Sequence, residues 1–167
     1  MAEALVVTCR DGLGIAAVMA RKGIDAAAIG AALEIEMPRG PRAIFAADRT
    51  VIGTGPGTWL LLASPASADH AEVVARTLTG LASVADQSSA YVVQRLSGAG
   101  ARKLLQRGVG IDLHSDRFGA GSAASTVIAH IGVILWQVDE RPTYDIATFR
   151  SYASSFRRWL DHTTPTL

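Results

Sequence analysis

The sequence predicts an α+β fold of two small lobes, each a mostly antiparallel sheet covered by helices. Three observations carry this. Short apolar runs bounded by Gly, Pro, Asp and Ser recur along most of the 167 residues. Helical spacing is confined to four segments. One order of elements occurs twice: residues 50–79 and 133–162 each read as strand, Pro-containing turn, strand and helix. The length suits one domain or two tightly fused lobes. The expected division is 1–88 and 89–167, across a short connection near residues 88–90.

In chain order, residues 5–8 read as a short strand. After Arg10-Asp11-Gly12, apolar residues recur at Leu13, Ala16, Ala17, Ala20, Ile24, Ala27, Ala28, Ala31 and Ala32. That is helical spacing, with Arg21 and Lys22 off the stripe. Gly23 and Gly30 interrupt it at about 1 kcal/mol each against Ala. Either two helices meet near Gly23, or the glycines admit a second backbone. Met37-Pro38-Arg39-Gly40-Pro41 is a break. Residues 42–47 and 50–54 read as strands, and 59–63 as a dense apolar strand after the turn Gly55-Pro56-Gly57. A helix over 67–79 places Ala71, Val74, Ala75 and Leu78 on one face.

Strands are expected over 84–88, 91–96, 124–130, 133–139 and 143–147, the last two joined by Glu140-Arg141-Pro142. A short helix covers 99–106. The closing helix, 149–162, is expected to bury Tyr152, Phe156, Trp159 and Leu160. Trp59, Trp136 and Tyr144 also fall on apolar periodicity. Asp145 stands out, because a strand seldom buries a carboxylate without a partner. It calls for an Arg, for solvent, or for another protein.

Composition narrows the function classes. Hydrophobic residues make up 49% of the chain and charged residues only 19%, against about 25% for a typical domain. Much of the apolar content is Ala, which favours close packing or broad flat contacts over a large ligand cavity. The net charge of +1, with no basic block longer than Arg157-Arg158, lacks the clustered footprint of a nucleic-acid binder. One cysteine, Cys9, allows neither an intrachain disulfide nor a cysteine zinc cluster, and fits a reducing compartment. The opening MAEALVVTCRDGLG does not read as a secretory leader. No apolar run approaches the ~20 residues of a membrane helix, so a soluble cytoplasmic protein is expected.

The reactive-looking motifs each have a plainer account. Gly53-Thr54-Gly55-Pro56-Gly57 leads into a strand, whereas a dinucleotide fingerprint leads into a helix; it reads as a hairpin turn. Ser97-Gly98-Ala99-Gly100 does lead into a helix, where free amides with Arg102 or Lys103 would hold an anion. Yet Lys103 stands where the third glycine of a dinucleotide motif belongs, and Asp116 falls in a loop. The simpler role is a turn with Ser97 or Gly98 as helix cap. In Ile111-Asp112-Leu113-His114-Ser115-Asp116-Arg117-Phe118, an Asp–His pair would suit acid–base work, and Ser115, His114 and Asp112 suggest a small hydrolase. No Gly-x-Ser-x-Gly elbow accompanies them. The plainer reading has the aspartates satisfying loop amides, with Leu113 and Phe118 as anchors. His70, His114, His130 and His162 show no metal-ligand spacing.

Several segments together resemble the gamma subunit of heterotetrameric sarcosine oxidase. They are Arg10-Asp11-Gly12-Leu13-Gly14-Ile15-Ala16 with Ala20-Arg21-Lys22-Gly23, then Gly55-Pro56-Gly57-Thr58-Trp59-Leu60 and Arg95-Leu96-Ser97-Gly98. Ala101-Arg102-Lys103-Leu104-Leu105, Asp112-Leu113-His114 with Phe118, and Pro142-Thr143-Tyr144 complete the series. The resemblance implies a reduced aminomethyltransferase (folate-binding) fold. It implies alpha, beta and delta subunits as partners, and a complex that oxidises sarcosine to glycine, yielding formaldehyde or methylene-tetrahydrofolate and hydrogen peroxide. It places FAD, FMN, NAD and tetrahydrofolate on other subunits, with no cofactor, metal or catalytic residue on this one. Gly108-Val109-Gly110-Ile111 departs from a Cys-Pro pair of related chains, which leaves open a sister complex acting on another N-methyl amino acid such as N-methylglutamate. Asp112, His114 and Arg117 are the expected partner contacts. A stand-alone folate-dependent C1 carrier is the rival from the same fold, with Asp145 and Arg102 as its candidate pterin and glutamate contacts.

Overall fold

The computed structural model describes residues 5–166. Its strands are β1 (Val6–Cys9), β2 (Gly14–Ala20), β3 (Ala43–Ala46), β4 (Arg49–Gly55), β5 (Thr58–Ala63), β6 (Ala82–Asp86), β7 (Tyr91–Ser97), β8 (Ala123–Ile128), β9 (Ile131–Asp139) and β10 (Thr143–Phe149). Its α-helices are α1 (Ala26–Leu33), α2 (His70–Thr77), α3 (Gly100–Leu105) and α4 (Ala153–Thr163). The chain forms two compact units, Gly12–Ser89 and the described residues on either side of it. Each unit holds one five-stranded antiparallel sheet.

In the unit of Gly12–Ser89 the strand order is β3-β4-β5-β2-β6. The helix expected from Leu13 onward is instead β2, a turn and α1. Ala is indifferent to period: its small side chain fits an alternating strand and a helical stripe alike. The decisive residues are the larger ones. Ile15 and Val18 are buried β-branched residues, of the kind enriched in strands; Val18 faces the core with Ala16, and Met19 on the opposite face is half-exposed, as alternation along a strand requires. Gly23 adopts φ +83 in the turn that follows, a conformation open to glycine. Asp25 then caps α1, its carboxylate accepting from the Ala28 amide at 2.9 Å, a bond suited to the free N–H groups there. A Cβ at Gly30 would lie 2.8 Å from the Ile35 carbonyl, so this glycine admits the backbone that leaves the helix.

The core of this unit gathers Val18, Ile29, Leu33, Met37, Val51, Trp59, Leu61, Val74 and Leu78. Full burial of each such side chain contributes about 1.5–3 kcal/mol. The Trp59 indole donates to the Pro38 carbonyl at 2.8 Å, fixing the proline-rich break against β5. Gly55-Pro56-Gly57 is the β4–β5 hairpin turn, with Gly57 at φ +65.

In the other unit the order is β1-β7-β10-β9-β8. A division of the chain at residue 88 would leave β1 with the first lobe, but β1 pairs antiparallel with β7, from Val6↔Ser97 to Cys9↔Gln94. The two sheets then match strand for strand. β2, β3, β4 and β5 correspond to β7, β8, β9 and β10, and β1 fills beside β7 the place that β6 fills beside β2. The core lies on the face of Leu96, Leu135, Tyr144 and Ile146, under Ala101 and Leu104 of α3 and Phe156 and Leu160 of α4. Leu113 and Phe118 join it from the loop. Tyr152 is exposed rather than buried, because Arg150–Tyr152 form a 3-10 turn ahead of α4 and shift the helical stripe.

Asp145 of β10 is fully buried and ion-paired twice. Arg95 of β7, directly opposite in register, grips both oxygens, Nε to Oδ1 at 2.7 Å and Nη2 to Oδ2 at 2.8 Å. Arg10, just past β1, reaches Oδ2 from its Nη1 at 2.9 Å. Removing one member of a buried pair leaves the rest uncompensated, at about 3–5 kcal/mol. Asp145→Asn is therefore expected to lower the urea-unfolding free energy by about that amount. Arg10→Met is expected to cost less, since Arg95 keeps both oxygens. A loss of under about 1 kcal/mol for Asp145→Asn would contradict the clamp.

Candidate functional site

The stretch from the end of β7 to Phe118 was the sequence's densest set of reactive-looking groups. Gly98 turns the chain at φ +98, and α3 begins at once. Neither Ser97 nor Gly98 caps the helix by a side chain: Ala99 occupies the cap position without one, while the Ala101 amide donates to the Gly98 carbonyl at 3.0 Å. Arg102 does not point at those amides. Its Nε donates to the Tyr144 hydroxyl at 3.0 Å. Tyr144 is buried, which raises the pKa of its phenol, and Arg102 partly opposes that shift. The anion cradle is not assembled.

Tyr144 and Asp145 are adjacent in β10, so their side chains leave opposite faces of the sheet. Arg102 bonds the first, and Arg10 and Arg95 bond the second. Asp145 and Arg102, the two folate candidates, therefore do not converge on one ligand.

The loop closes on itself. Asp112 Oδ1 accepts from the His114 amide at 2.8 Å. The His114 carbonyl accepts from the amides of Arg117 and Phe118, both at 2.8 Å. His114 Nδ1 stands 3.4 Å from Asp116 Oδ2, with both side chains largely exposed, a pairing worth little in water. Among the described residues no hydrogen bond joins Ser115 to His114, and Asp112 serves a backbone amide instead of the imidazole. Ser115, His114 and Asp112 are not arranged as a triad. Leu113 and Phe118 are buried, and the Phe118 ring stacks on Tyr144 at 6.5 Å between centroids. The loop is a fixed frame presenting Asp112, His114 and Arg117 to solvent.

Cys9 is exposed and free. Its thiol donates to Asp11 Oδ1 at 3.2 Å. Partial burial raises its pKa first, and the bond to Asp11 and the charge of that carboxylate raise it further, against Arg150 and Arg157. A thiol held protonated is a poor nucleophile. Among the described residues no group of three or more His, Cys, Asp or Glu is placed to hold a metal ion, and no helix is long and apolar enough to cross a membrane. The sequence left the partner of Asp145 open. A second unheralded feature is a cleft of about 580 Å³ beside β8, where Arg107, His130 and Trp159 come together. Its residues are scattered in sequence, and nothing in their spacing announces it.

Two antiparallel sheets with few helices place the chain in the aminomethyltransferase-like fold class. The glycine cleavage aminomethyltransferase T from Bartonella henselae superposes with a TM-score of 0.67 at 11% identity, over 94% of this chain and 45% of that one, a likeness of fold. A chain of the heterotetrameric sarcosine oxidase from Corynebacterium sp. U-96, solved in complex with pyrrole 2-carboxylate, superposes with a TM-score of 0.87 at 25% identity, over 97% of this chain and 84% of that one. Residues 18–165 match the family model for the sarcosine oxidase gamma subunit, and the chain belongs to that family. It is 33% identical over 110 residues to the sarcosine oxidase subunit gamma of Corynebacterium sp. strain P-1, covering 66% of this chain and 54% of that one. To the subunit of strain U-96 it is 31% identical over 150 residues, covering 89% and 72%. The chain thus spans about half the length of the first relative.

The raised thiol pKa gives a direct expectation. Cys9 reacts with iodoacetamide near neutral pH more slowly than a free cysteine peptide, and Asp11→Asn, by removing both contributions of that carboxylate, speeds the reaction several-fold. Equal rates for the two proteins would contradict this account of Cys9.

Proposed function

We propose that the chain is a gamma subunit of a heterotetrameric, flavin-dependent oxidase acting on sarcosine. The overall reaction takes sarcosine, dioxygen and water to glycine, formaldehyde and hydrogen peroxide, or delivers the one-carbon unit to tetrahydrofolate. Membership of the gamma-subunit family is the observation that carries this reading. The superposition on a heterotetrameric sarcosine oxidase over nearly the whole chain supports it. Alpha, beta and delta subunits are the partners, and FAD, FMN, NAD and tetrahydrofolate are bound by them. The one cysteine, a free thiol, fits a reducing cytoplasm.

On this reading the chain contributes surface, not chemistry. Low charge and abundant Ala suit a protein that buries broad area against others, and obligate interfaces commonly exceed ~2,000 Å². The loop from Asp112 to Arg117 is one contact. Its polar tips stand on a frame held by Leu113 and Phe118, so little conformational entropy is lost when a partner engages them.

Co-expression of the tagged chain with the other three subunits is expected to yield a stoichiometric complex that forms hydrogen peroxide on addition of sarcosine. Asp112→Asn, His114→Ala and Arg117→Ala together are expected to weaken assembly without lowering the unfolding midpoint. A monodisperse lone chain under co-expression would overturn the proposal.

A further inference from the structure

The proline-rich break Met37-Pro38-Arg39-Gly40-Pro41 leads into β3, the edge strand of the sheet in the Gly12–Ser89 unit. Ala43–Ala46 pair with β4 on one side only. The Gly53 amide donates to the Arg42 carbonyl at 2.9 Å, which fixes the alternation of the antiparallel ladder. Ile44 and Ala46 turn their backbone groups toward β4, whereas Ala43 and Phe45 turn theirs outward. No described residue bonds those outward groups. The strand is AIFA, without the Lys, Pro or acidic residue that ordinarily blunts an edge, and Phe45 is 44% exposed.

A cleft of about 760 Å³ opens beside this strand, lined by Ala27 and Gly30 of α1, by residues 34–39 and by Arg42, Ala43 and Ile44. Residues 34–39 run opposite to β3. The Glu34 carbonyl accepts from Arg49, which lies across from Ala46 at the end of the strand. The Pro38 carbonyl accepts from Trp59, which lies across from Gly53, the residue bonded to Arg42 at the start of the strand. Charge is therefore sorted along the edge. Arg39 and Arg42 stand at its start, Glu34 and the turn residue Asp48 at its end, and Glu36 between them. All five are exposed, and none has a side-chain hydrogen bond or ion pair with another described residue. An apolar strand with unpaired cations at one end and unpaired carboxylates at the other is a directional surface.

We infer that β3 receives an extended segment of a partner subunit as a sixth strand. The segment is apolar in its middle, with a carboxylate at the end beside Arg39 and Arg42 and a cationic side chain at the end beside Glu34 and Asp48. Its backbone bonds the outward groups of Ala43 and Phe45. Its side chains alternate between the cleft, against Ile44, and the opposite face, against Phe45. Complementarity to the sorted charge decides the composition of the segment, because reversing it sets like charges together at both ends. A four-residue strand is too short to supply by itself the ~1,200–2,000 Å² of a stable interface, which favours a subunit with further contacts over a second copy meeting edge to edge. The inference rests on the proposed subunit role, which supplies the partner, and gives that partner a surface in the Gly12–Ser89 unit.

The test uses the full chain and the co-expressed remaining subunits. Phe45→Pro removes an outward amide without touching the ladder to β4, and the double substitution Arg39→Glu, Arg42→Glu reverses the cationic end. Each is expected to weaken association by about tenfold or more, with the unfolding midpoint of the isolated chain unchanged. The amides of Ala43 and Phe45 are expected to become protected from hydrogen exchange only in the complex. If the wild-type chain assembles while either variant binds as tightly, or while those two amides exchange as in the free chain, the docking inference fails and the subunit role stands. If the wild-type chain does not assemble, the subunit role itself fails. A dimer of the isolated chain that Phe45→Pro abolishes assigns the edge to a second copy and overturns the inference. So does protection of both amides already complete in the isolated monomer.

Discussion

A carboxylate with no exposed surface, Asp145, held by two arginines, governs the second sheet. β1 is only four residues long and largely exposed, so neither packing nor its ladder with β7 holds it strongly. Arg10 at its end and Arg95 on β7 meet on Asp145 of β10, which joins three strands through one buried group. Charges taken out of water are costly, and a fit of several hydrogen bonds is what offsets that cost. The clamp also raises the pKa of the Arg95 guanidinium through its hydrogen bonds to Asp145. The result is selective: among strand ends, the one followed by Arg10 fits beside β7.

That closure explains the architecture of the chain. The sheet of the Gly12–Ser89 unit is completed by its own last strand, β6, whereas the other sheet is completed by the first strand of the chain. The two units share a plan of strand, helix, three strands and helix, and differ in which end supplies the fifth strand.

Much of this was legible before the fold was known. The repeat of hairpin and helix stood out because Pro-Gly and Arg-Pro turns punctuate dense runs such as Trp59–Leu62 and Ile134–Trp136, where strand residues leave no ambiguity. β2 was not legible, because Ala16, Ala17 and Ala20 satisfy a helical period and an alternating one equally, and the few larger residues, Ile15, Val18 and Met19, act for the strand only once it pairs with β5 and β6. The place of β1 was hidden for another reason: its partner lies some ninety residues on, and local pattern carries no information about such pairing. Asp145 was visible as an anomaly, but which arginines answered it depended on register. The frame of the Asp112–Arg117 loop was readable from Leu113 and Phe118 as anchors. The cleft beside β8 was not, since helix, turn and strand ends converge there only in three dimensions.

The polar residues weighed as catalytic or ligand-binding in sequence have structural partners: Asp112 holds an amide, Arg102 a tyrosine, Asp145 two arginines. The central proposal is that this chain shapes a complex with other subunits without joining the chemistry. The most direct measurement is the turnover number per assembled complex with sarcosine when the chain carries Asp112→Asn, His114→Ala and Ser115→Ala together. At concentrations that restore full assembly, the account predicts a kcat equal to the wild type. A large fall in kcat at full occupancy would contradict it and place the loop among the reacting groups.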